Sequence, residues 1–114
     1  MNELNRDRMR EMLEYAKTAA RLLGSSDEAA LKADERTYLA TRHALVILGE
    51  AANQVCAEAR ASIPDVPRRD AIAMRHRLVH GYRTVLADVI VQTVRDDLPE
   101  LIASLEAALK EEGQ

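Results

Sequence analysis

Not one phenylalanine or tryptophan occurs in this 114-residue chain, and Tyr15, Tyr38 and Tyr82 are its only aromatic residues. Hydrophobic residues nevertheless make up 47% of the sequence, enough for a packed core. That core must be filled by Ala, Leu, Val, Ile and Met, small or flexible side chains that suit close helix–helix contact better than a sheet. Gly (4) and Pro (3) are scarce, so breaks are few and helices are long. The length corresponds to one domain, residues 1–114.

The apolar spacing bears this out along the chain. Residues 2–23 repeat Met9, Met12/Leu13, Ala16, Ala20 and Leu23 at three-and-four intervals, which predicts an amphipathic helix stopped by Gly24. Ser25 with Glu28 three residues later reads as a capping box, opening a short helical turn through about Lys32. A long helix is expected from Asp34 as N-cap, with a stripe of Tyr38, Leu45, Leu48, Ala52, Val55, Ala59 and Ile63. Ala44, Ile47 and Ala51 widen that stripe, and Gly49, Ala51 and Ala52 leave room for a second helix. Pro64 and Pro67 should end it.

A third helix runs from Arg69–Asp70 to Gly81 through Ile72, Met74, Leu78 and Val79. Residues 84–95 are rich in Val and Ile but keep helical spacing. Pro99 either opens a last helix, with Leu98, Leu101, Ile102, Leu105, Ala108 and Leu109 on one face, or kinks one continuous helix. The expected architecture is an all-α bundle of four or five helices.

Charge is unevenly placed. The formal net charge is −3, yet residues 68–83 hold Arg68, Arg69, Arg75, Arg77 and Arg83 against Asp70, a net +4. Residues 96–112 hold Asp96, Asp97, Glu100, Glu106, Glu111 and Glu112 against Lys110, a net −5. A basic patch on an acidic body can hold phosphate locally without binding polyanions at large. Cys56 is alone and cannot form an intramolecular disulfide, which points to a cytoplasmic protein. No run approaches ~18 apolar residues, so no membrane span is expected. The sequence has no Walker loop, no HExxH and no paired CxxC, so neither a metal nor another cofactor is expected. Asp96, Asp97 and Glu100 have no His or Cys nearby and read as a solvated face.

Chemistry is concentrated in residues 75–82, Arg-His-Arg-Leu-Val-His-Gly-Tyr. On a helix Arg75 and His80 lie about 140° apart, so a helix end at Gly81 is needed to let His80 turn toward the arginine. Metal-free RNA cleavage has the ribose 2′-OH attack the adjacent phosphate. It needs a proton acceptor, a proton donor and a cation on the phosphoryl oxygens. His80 can fill one proton role and Arg75 can hold the phosphate bidentately. A two-fold dimer would supply the second histidine. His76 is a supporting residue, and Arg77 and Arg83 are candidate phosphate contacts.

The run MRHRLVHGY, with LGEAANQV upstream at 48–55 and DLPEL downstream at 97–101, resembles the HEPN superfamily, and within it the HepT-like ribonuclease toxins of toxin–antitoxin pairs. The likeness spans essentially the whole chain, from the RDRMREMLEYA opening to the final helix. It implies a HEPN-type helical bundle that forms a homodimer with both Arg/His motifs at a shared cleft. It also implies metal-independent endoribonuclease activity, with Arg75 and His80 as the catalytic positions. The implied partner is a minimal nucleotidyltransferase antitoxin of the MntA type, which transfers AMP to the motif tyrosine, here Tyr82. Several positions depart from the family's habits. His76 replaces a frequent Asn, Arg68 and Val91 stand where Trp is common, and Arg83 follows the tyrosine where an aromatic is frequent. An alternative function is that of a non-catalytic helical module that binds and regulates a partner nucleotidyltransferase.

Overall fold

The computed structural model describes residues 3–55 and 83–112, with the side chains of 83–86 and 112 left aside. Every described element is helical, as the composition requires. Helix α1 spans Glu3–Leu23, α2 Glu28–Ala33, α3 Glu35–Gln54 and α4 Arg83–Gln92; a π-helical turn, Thr93–Asp97, leads into α5, Leu98–Glu112.

Helix α1 buries Asn5, Met9, Met12, Ala16, Ala19 and Leu23. The stripe is turned slightly from the expected one, with Ala19 facing the core and Ala20 at its margin. Gly24 ends α1 with φ +55°, and its N–H bonds to the Ala20 carbonyl at 3.0 Å. A Cβ there would meet only the Arg21 carbonyl at 3.7 Å. The demand for glycine is therefore conformational, not steric.

The expected capping box at Ser25 is not what starts α2. Asp27 is the N-cap, its carboxylate accepting from the Ala30 N–H at 2.8 Å. An aspartate directly before the first helical residue reaches the free amides that Ser25, two residues further back, cannot. Asp34 then closes α2 and opens α3: its N–H bonds to the Leu31 carbonyl at 3.3 Å. Its carboxylate accepts from the Thr37 N–H at 3.1 Å and from the Thr37 hydroxyl at 2.7 Å. At six residues α2 is too short to stand on propensity alone, so the burial of Leu31, about 1.5–3 kcal/mol, and its two caps hold it.

Helix α3 packs along α1, with Ala44, Leu45, Leu48, Ala51 and Ala52 of α3 and Ala16 and Ala19 of α1 buried in the core. It ends earlier than Pro64. Val55, extended at φ −70° and ψ 123°, bonds back to the Ala52 carbonyl at 3.3 Å and leaves the helix with its side chain buried. A β-branched residue adopts that backbone readily. Ala59, Ile63, the two prolines and the expected third helix lie outside the described residues.

The alternatives left open at Pro99 resolve into one continuous helical path with a wide turn. The Leu98 N–H bonds to the Thr93 carbonyl, five residues back. Proline has no N–H and its ring crowds the carbonyl four residues before it, so an ordinary turn is unfavourable there. Ile90, Val94 and Leu98 are all buried along this path. Lys17 of α1 reaches Glu106 of α5 at 3.5 Å over the packed pair.

Candidate functional site

Arg75, His76, Arg77, His80 and Tyr82 lie outside the described residues, as do Arg68 and Cys56. Arg83 is the first residue of α4, described by its backbone alone. The structure does show α4, which follows directly on this motif, together with the two flanking sequence segments.

Upstream, the LGEAANQV segment forms the last turns of α3. Leu48, Gly49, Ala51 and Ala52 are buried, Glu50 is half-buried, and Asn53 and Gln54 are exposed. Its alanines and glycine serve contact with α1, in keeping with a structural role. His43 is exposed on α3. Downstream, Leu98 and Leu101 of the DLPEL segment anchor α5, while Asp96, Asp97 and Glu100 are exposed as expected. Among the described residues no group of three or more His, Cys, Asp or Glu is arranged to hold a metal. Val91 is half-buried against the core.

Helix α4, which carries the chain away from the motif, is tied to α2 by polar groups that the sequence reading missed. The carboxyl groups of Asp88 and Glu28 lie near one another across the two helices, and Lys32 Nζ pairs with Glu28 Oε1 at 2.7 Å. The bond from Glu28, aided by partial desolvation and the negative charge of Glu28, raises the Asp88 carboxyl above its ordinary range. Glu28 is lowered by the same bond and by Lys32, and Lys32 is raised by Glu28. Seven residues on, Arg95 donates to the Ser26 carbonyl at 2.6 Å, pinning the turn between α1 and α2. One signal was in the sequence: Asp88 is the only charged residue in the apolar run 84–94.

Comparison with known proteins agrees with the sequence pattern. A family model described as "Ribonuclease HepT-like" matches residues 12–108, a span that includes the whole 75–82 motif. The "Probable ribonuclease HepT" of Thermococcus cleftensis (strain DSM 27260 / KACC 17922 / CL1) is 34% identical over 77 residues, covering 68% of this chain and 70% of that protein. No solved structure gives a significant match.

Proposed function

Because this chain belongs to the HepT-like ribonuclease family, we propose that it is a metal-independent endoribonuclease, the toxin of a toxin–antitoxin pair. The observation that supports this most directly is the family match running through Arg75-x-x-x-x-His80-x-Tyr82. In this reading the protein works in the cytoplasm as a homodimer. Two copies of Arg75 and His80 face one RNA phosphate.

The reaction then follows from the side-chain chemistry. One histidine accepts the proton of the ribose 2′-OH as its oxygen bonds to phosphorus. The other, protonated, gives its proton to the departing 5′-oxygen as the P–O5′ bond breaks. The products are a 2′,3′-cyclic phosphate and a 5′-hydroxyl. Arg75 stays charged throughout and neutralises the phosphoryl oxygens as charge builds on them. His76, Arg77 and Arg83 extend the cationic surface along the strand. The partner is an MntA-like nucleotidyltransferase that AMPylates Tyr82. Adenylyl groups there place negative charge and bulk two residues from His80, where the RNA phosphate must sit, and the arginines can hold them as a substrate mimic.

The test is cleavage of an RNA pool in chelator by protein whose Tyr82 peptide has been shown by mass to be unmodified. His80→Ala and Arg75→Ala should each lower the rate by about 10²–10⁴-fold. Equal activity in all three proteins would remove the assignment. Tight binding to a nucleotidyltransferase without cleavage of any RNA would instead support the non-catalytic module.

A further inference from the structure

The outward sides of the long helices are charged, with one exception. On α1 the exposed line is Asp7, Arg10, Glu14, Lys17 and Arg21. On α5 the exposed positions include Glu100, Glu106, Lys110 and Glu111. Helix α3 instead leaves Leu39 50% exposed, beside exposed Ala40, and further along carries Val46 and Ile47, both half-buried. Steps of about 100° per residue place all four within about 60° of exposed His43, on the side turned away from buried Leu45 and Ala52. An apolar strip rimmed by polar residues marks a contact surface.

The order of residues on this strip fits one occupant, a second α3. When two helices pair antiparallel about a two-fold axis passing between their His43 residues, each position before 43 comes level with the one equally far after it on the partner. Leu39 then lies level with the partner's Ile47, Ala40 with the partner's Val46, and Arg36 with the partner's Glu50. Apolar meets apolar and base meets acid, each contact made twice by symmetry. Parallel pairing would set Arg36 on Arg36 and Glu50 on Glu50, and like charges oppose it. Glu50 has two carboxylate oxygens, so it can take the partner's guanidinium beside its contact within its own chain. We propose that the outward face of α3, centred on His43, is the homodimer interface, with a second copy of this chain as its occupant. This interface deepens the ribonuclease reading, and rests on it for its purpose, which is to hold two copies of the motif in one particle.

The experiment measures self-association of the full chain by sedimentation equilibrium, beside RNA cleavage. The wild-type protein should be dimeric at micromolar concentration. Leu39→Glu sets a carboxylate against the partner's Ile47 twice per dimer, and should raise the dimer dissociation constant by about 100-fold with helix content unchanged by circular dichroism. Arg36→Glu should raise it by about tenfold. In a Cys56→Ser background, His43→Cys should form a disulfide with its own copy under mild oxidation, and Lys17→Cys on α1 should not. If Leu39→Glu loses helix content, the cross-link, made on a chain that keeps the leucine, decides alone. A wild-type dimer unaffected by Leu39→Glu, with no His43→Cys cross-link, overturns the α3 interface and leaves the homodimer standing on another face. Unchanged dimerisation with lost binding to a nucleotidyltransferase overturns it too, and gives the face to that partner. A monomeric wild type overturns interface and homodimer together. A dimer that responds as stated but cleaves no RNA keeps the interface and removes the ribonuclease reading.

Discussion

Thr41 is fully buried on α3, and among the described residues its hydroxyl has no hydrogen-bond partner. A buried hydroxyl without a partner forfeits the bond it made to water, at a cost of about 1–3 kcal/mol. Valine keeps the shape and branching of threonine and removes the polar atom. Thr41→Val should therefore raise stability by about 1 kcal/mol, seen as a rise of roughly 4 °C in Tm by calorimetry. A lowered Tm would mean that the hydroxyl is bonded in solution. The sequence held a trace of this residue. Tyr38 and Leu45 are seven apart on the expected stripe, and position 41 fills the turn between them with a residue whose polarity hid its burial.

At the scale of elements, helix ends were legible wherever one residue carries the cap. Asp34 was readable as the start of α3 because its carboxylate has one nearby use, the free amides of the following turn. The bonds from the Thr37 hydroxyl and Thr37 amide hold that carboxyl below its ordinary value of 3.8. A lowered carboxyl stabilises the fold above its unfolded-state value and loses that contribution as pH falls through the folded one. Asp34→Ala should accordingly lower the Tm at pH 7, and the gap from wild type should narrow below about pH 4. A gap independent of pH would separate the cap from its charge. Ser25 misled because the capping-box pattern was satisfied two residues too early, with Asp27 better placed. The wide turn at 93–97 had a signal too, in Pro99, whose ring and missing N–H disfavour an ordinary turn just before it. The ties from Asp88 to Glu28 and from Arg95 to Ser26 join residues far apart in sequence, and no local pattern encodes them.

For the whole molecule, an all-helical fold followed from the missing large aromatics, since alanine-lined surfaces on α1 and α3 meet where bulky rings would not fit. No described helix is long and apolar enough to cross a membrane. The candidate site was legible as a string of residues and not as a geometry, because its completeness depends on a second copy of the chain. That dependence can be measured. If each cleft needs both histidines, wild-type subunits mixed with excess His80→Ala should lose activity below their own share, because a mixed dimer keeps both arginines but only one histidine. Activity that falls only in proportion to the wild-type fraction, after verified subunit exchange, would argue for a site complete within each chain. The turn at 93–97 has a further consequence, for the lengths this fold tolerates. It accommodates one residue more than a regular turn, as an inserted residue would. Deleting one of its five residues would let the turn close to a regular α-helical one, and the 15-residue α5 would keep Leu98, Leu101 and Leu105 turned to the core. Sequences sharing this fold are therefore free to differ by one residue in length across 93–97, where a change elsewhere in α4 or α5 would turn the helix off its core face.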